Sequence, residues 1–101
     1  MAELIEGGIY ARKQRFLRWT VFKVLKVDAE VAHLRLYKDT FWWRPTAQVV
    51  PRLDWSLGHV PISRTNVESW PVHLLAQAPV TSEELQGYEI WREDPCAGCF
   101  P

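Results

Sequence analysis

Four consecutive residues, Phe41-Trp42-Trp43-Arg44, carry the clearest chemical suggestion in this chain. Neighbouring side chains on an extended strand point to opposite faces, so Trp42 and Trp43 cannot share one core side. One of them is then partly exposed, or a later element covers it. An exposed indole beside Arg44 offers a flat apolar ring with a guanidinium, suited to stacking on a base, a proline or a cation. The simpler expectation is burial, because aromatic rings dominate the cores of small folds. Leu85, Tyr88 and Trp91 would supply the cover.

A second constellation is basic. Arg12, Lys13, Arg15, Arg18, Lys23, Lys26, Arg35 and Lys38 are interleaved with Trp19, Phe22 and Tyr37. Basic side chains among aromatics suit single-stranded nucleic acid, and Arg18, Lys23, Arg35 and Tyr37 would form that face. Lys and Arg also serve simply to blunt sheet edges. Residues 1–52 carry a formal charge of +5 and residues 53–101 one of −5, so the whole chain is neutral. A neutral chain argues for attraction between its halves rather than a long-range field for a polyanion.

Cys96-Ala97-Gly98-Cys99 has the spacing of half a zinc site or of a redox pair. No second such pair exists, and His33, His59 and His73 complete a site only if the tail folds back. The segment reads as a mobile, chemically reactive tail, and His33 and His73 as ordinary strand residues. No nucleophile elbow, phosphate loop or metal-binding helix motif is present. The pairs Glu83-Glu84 and Glu93-Asp94 are explained by helix polarity and solvation. The expectation is no enzyme, no cofactor and no bound metal.

These residues must be positioned by strands. Trp19 to Phe41 reads as a hairpin about Asp28-Ala29-Glu30. Apolar residues occupy odd positions at Leu17, Trp19 and Val21, even ones at Phe22 and Val24, then odd ones again at Leu25 and Val27. That slip fits a strand bent by a bulge and buried on both faces. Ile9–Lys13 reads as a first strand after Gly7-Gly8, Leu57–Ile62 as an edge strand because Pro61 cannot donate, and Val72–Ala76 as the last. Lys38-Asp39 reads as a turn, and Ser63 as the cap of one helical turn over 64–69. Thr81 and Glu84 form a capping box opening a helix over 82–92, with Gly87 as an unfavourable interior residue. The acidic N-terminus lacks a secretory n-region, no apolar run approaches the roughly 18 residues of a membrane helix, and two cysteines make no disulfide framework. A cytoplasmic location without membrane contact is expected.

Gly8-Ile9-Tyr10, the Trp19–Val27 strand, Val31–Tyr37 and the turn Arg64–Ser69 before Val72–Ala76 follow one another as elements do in SH3-like and Tudor-like small barrels. The chain resembles that family over residues 8–76 in element order. It also resembles small bacterial proteins running from a Gly-x-Tyr strand to an acidic terminal helix. The resemblance implies a binding module, since SH3-like proteins take proline-rich peptides and Tudor-like ones take methylated side chains on aromatic surfaces.

The expectation is therefore a mainly β domain over residues 1–94, a partly open barrel of about five strands with one C-terminal helix, and a tail at 95–101. Its function would be non-catalytic binding of a protein partner through Trp42, Trp43, Arg44, Tyr37 and Arg35. A nucleic-acid partner is the alternative, and ligand or metal binding by the cysteine tail a third.

Overall fold

A computed structural model describes residues 4–14, 16, 18–94 and 98–100. The protein is mainly β, with five antiparallel strands in one open sheet. They are β1 (Gly8–Lys13), β2 (Trp19–Val27), β3 (Val31–Phe41), β4 (Trp55–Ser63) and β5 (Val72–Gln77), in the order β4-β3-β2-β1-β5. A 3-10 turn, Ala47–Arg52, precedes β4; α1 (Arg64–Glu68) joins β4 to β5, and α2 (Gln86–Glu93) follows.

β2 is the spine, as its phase slip predicts. Register shifts fall between Thr20 and Phe22 and between Val24 and Lys26, and all five residues from Val21 to Leu25 are buried. Tyr10, Phe22, Val24, Ala32, Leu34, Val60, Ile62 and Val67 form the apolar core on one face. Phe22 stacks on Tyr10 and meets the edge of Trp70. Gly7 enters the sheet at φ +86°, a conformation glycine adopts without strain.

Three local expectations are revised. β3 runs through Lys38-Asp39 to Phe41, because Tyr37 pairs with Trp55 and Asp39 Oδ2 accepts from the Asp54 N–H at 2.8 Å. Ser63 precedes α1 but makes no side-chain cap bond. The Thr81 capping box forms reciprocally, Thr81 N–H to Glu84 Oε1 (2.9 Å) and Glu84 N–H to Thr81 Oγ1 (3.1 Å), yet it shapes a turn ahead of α2. Within α2, Gly87 has a packing reason: a Cβ there would stand 2.5 Å from His59 Cβ.

Pro61 lies on edge strand β4, opposite His33. Of the expected tail, residues 95–97 and 101, including Cys96, lie outside the described residues. Phe100 runs parallel to Ile62, donating to Pro61 O and accepting from Ser63 N–H. Trp91 Nε1 donates to Gly98 O, and Cys99 is an exposed free thiol. No described helix is long and apolar enough to cross a membrane.

Candidate functional site

The end of β3 leaves Trp42 and Trp43 standing in solvent, 63% and 73% exposed. The burial expectation fails here because α2 docks elsewhere: Tyr88 and Trp91 lie edge-on against His33 of β3, and Trp91 also meets His59 of β4. Arg18 donates to Thr40 Oγ1 and holds its guanidinium 4.1 Å above the Trp42 ring. Trp43 and Arg44 line a cleft of about 280 Å³ with Phe41, Thr46, Gln48 and Arg52. Two arginines and an indole thus share a lining that contains no carboxylate.

The pairings Lys13 with Trp19 and Trp19 with Phe41 bring the β1–β2 loop to the same end of the sheet. Phe16 on that loop is 89% exposed, with φ +62°. Strand register brings the β1–β2 loop to the end of the sheet where β3 finishes, and the 3-10 segment places Arg52 beside Trp43; neither placement is written in one segment alone.

Arg35 and Tyr37 do not join this group. Arg35 lies 5.0 Å from the Trp55 ring and 3.9 Å from Glu84 Oε2. Burial, then the nearby Glu84, raise the Tyr37 phenol above its ordinary range, against the opposing effect of Arg35. Lys23 is buried, its Nζ donating to Glu84 Oε1 (2.9 Å), Glu84 Oε2 (3.1 Å) and Pro79 O (2.9 Å). For Glu84, burial works to raise the carboxyl, but hydrogen bonds from the Thr81 backbone N–H and Lys23, with the charges of Lys23 and Arg35, prevail and hold it low. Lys23 and Arg35, two residues of the nucleic-acid face, are therefore engaged inside the fold. The segment after Pro79 is docked to the sheet by that buried pair.

A polar chain that the sequence did not reveal lies beneath α2. Asp28 Oδ2 is 3.0 Å from His33 Nε2, and His33 Nδ1 is 2.9 Å from His59 Nε2. With Asp28 ionised, His33 donates from Nε2 and accepts at Nδ1, so His59 carries its proton on Nε2. The three groups form a line, and among the described residues no three His, Cys, Asp or Glu side chains gather to hold a metal ion.

A further cleft of about 270 Å³ opens at the mouth of the core, lined by Phe22, Leu36, Ile62, Trp70 and Arg12 among others. Arg12 stacks on Trp70 at 3.6 Å, and burial lowers its guanidinium from the ordinary value.

Comparison with protein-family models, curated proteins and solved structures finds no match in any of the three. The local geometry therefore carries the functional argument.

Proposed function

We propose that this chain is a small SH3-like, non-catalytic binding module of the cytoplasm that takes an acidic segment of a partner protein on its Trp42/Trp43/Arg44 end. The observation that carries the reading is the adjacent pair of uncovered indoles, with Arg18 over one and Arg44 and Arg52 beside the other. Exposed aromatic and arginine side chains are the residues that anchor protein interfaces, because they bury large areas and make directed contacts. The strand order supports the barrel-like reading. A protein partner is favoured over nucleic acid because Lys23 and Arg35 are tied to Glu84.

The test is capture of partners by wild type and by the Trp42→Ala/Trp43→Ala variant, then titration of the captured partner as purified protein. The variant should lose about 2 kcal/mol or more of binding, the scale of an interface anchor. Arg44→Glu should slow association, an effect that weakens as salt is added. Equal affinity of the purified partner for wild type and both variants would remove this face from the interface. A parallel titration with fluorescent single-stranded RNA, if it bound tightly at low salt and was lost in the same variants, would replace the protein partner with nucleic acid.

A further inference from the structure

The mouth of the core holds an arginine whose charge no described carboxylate balances. Arg12 projects from β1, opposite Thr20 of β2 and Val72 of β5. Its Nε is buried and has no hydrogen-bond partner, and among the described residues no carboxylate lies within ion-pair distance of its guanidinium. The contact with the Trp70 ring, 3.6 Å from Cζ to the centroid, steadies the guanidinium without supplying an acceptor to its N–H groups. A buried donor on a charged group left without an acceptor is costly, and such a group in a native structure calls for an explanation.

The cleft around it has the character of a ligand site. Val21, Phe22, Leu36, Ile62 and Trp70 contribute apolar lining, Tyr37 and Ser56 add hydroxyls, and Gln14 Nε2 donates to Thr20 Oγ1 at 3.1 Å. Its volume of about 270 Å³ equals roughly nine water molecules at ~30 Å³ each. One amino-acid-sized group fits. Apolar walls with one charged anchor are the usual composition of small-molecule sites.

We propose that this cleft binds a carboxylate carried on a small apolar or aromatic body, with Arg12 as its anchor and Phe22, Leu36 and Trp70 around the body. A carboxylate matches the planar fork of a guanidinium and brings one charge to one cation. A phosphate would bring a second charge and a larger hydration shell to a lining that holds a single cation. A free acid and the C-terminal residue of a peptide share this chemistry. The site is separate from the Trp42/Trp43 face and does not depend on that reading.

The experiment titrates the full chain with phenylacetate and N-acetyl-phenylalanine, and with their uncharged amides, following the Arg12 Nε–H and Trp70 indole N–H resonances. Both acids should shift the two resonances, and each amide should bind about tenfold or more weakly, the worth of a hydrogen bond to a charged group. Arg12→Gln, checked for folding by its circular dichroism and melting, should reduce affinity for the acids to that for the amides. A peptide ending in phenylalanine, compared with its amidated form, separates the sources: binding of both acids and peptide admits a chain terminus, and binding of the acids alone restricts the site to free acids. Acids that leave the Arg12 Nε–H unmoved at millimolar concentration would overturn the proposal, and so would acid and amide binding equally well. These readouts use the wild-type protein, so they stand even if Arg12→Gln unfolds.

Discussion

Acid should weaken the side of the sheet under α2, and His59 sets the range. Facing this ring are His33, linked onward to Asp28, Trp91 of α2, and around the same cleft Arg35, Glu83 and Glu84. Burial, then the proximity of His33, lower His59 from 6.5 to about 4. Burial also lowers His33, against the raising effect of its hydrogen bond and attraction to Asp28. Two ring nitrogens 2.9 Å apart hold one shared proton, so charging both rings would bring two N–H groups face to face.

The unfolded chain takes up protons at the ordinary histidine value, while folded His59 resists until about pH 4. Stability is therefore complete above 6.5 and is lost as the pH falls from there toward 4. Linkage for a shift of that size gives about 2.4 kcal/mol lost between about pH 7 and about pH 4.5, and the partial exposure of His59 cuts this to about 1–1.5 kcal/mol. For a domain of this length that is a fall in Tm of about 5–10 °C. The assay is denaturant unfolding across this range for wild type and His59→Gln, which keeps a donor for His33. Because His59→Gln also removes the charge that His33 would face, the difference in slope reports the coupled His33–His59 pair. Parallel stability curves would refute the reasoning.

Gly87→Ala should destabilise the protein by about 1–3 kcal/mol although alanine is the better helix former, because its Cβ meets His59 Cβ and neither can rotate away; thermal melts decide the sign. Glu84→Gln leaves Lys23 buried without its counter-charge and should cost about 3–5 kcal/mol in equilibrium unfolding, while Lys23→Met with Glu84→Met should recover part of that loss. Trp42→Ala/Trp43→Ala should change stability by no more than about 0.5 kcal/mol, since both indoles stand in solvent. A large drop in melting temperature would mean that the rings are structural.

What the sequence made legible were features whose cause is local. The odd-even-odd slip along β2 marked a strand buried on both faces, and Pro61 marked an edge. The Thr81–Glu84 box was legible as a pair because both partners lie within one turn, although the turn it closes precedes α2. The docking site of α2 was illegible for the opposite reason. Its Tyr88 and Trp91 suited any flat patch, and His33, alternating with Ala32 and Leu34, read as an outward polar residue. In fact His33 is wholly buried, made tolerable by Asp28 on one ring nitrogen and His59 on the other. Lys23 and Glu84 are 61 residues apart, and neither local pattern predicts the other.

The opposite charges of the two halves resolve unevenly across the molecule, and the unevenness bears on function. Lys23 and Arg35 meet Glu84, and Lys38 meets Asp54, so the cations beside the C-terminal segment and β4 are matched within the fold. Among the described residues, Lys13, Lys26 and four arginines, Arg12, Arg18, Arg44 and Arg52, have no such match. Two of the arginines lie over indoles, Arg12 on Trp70 and Arg18 on Trp42, and the other two share a cleft with Trp43. An arginine over a ring has one face dried and positioned, while its in-plane N–H groups still need acceptors. Carboxylates supply such acceptors in matching geometry. Unmatched arginines over or beside indoles are thus common to both proposed sites, the acidic peptide segment at the exposed end and the single carboxylate at the mouth of the core. The two can be separated because Trp42→Ala/Trp43→Ala and Arg12→Gln remove different indole-arginine groups.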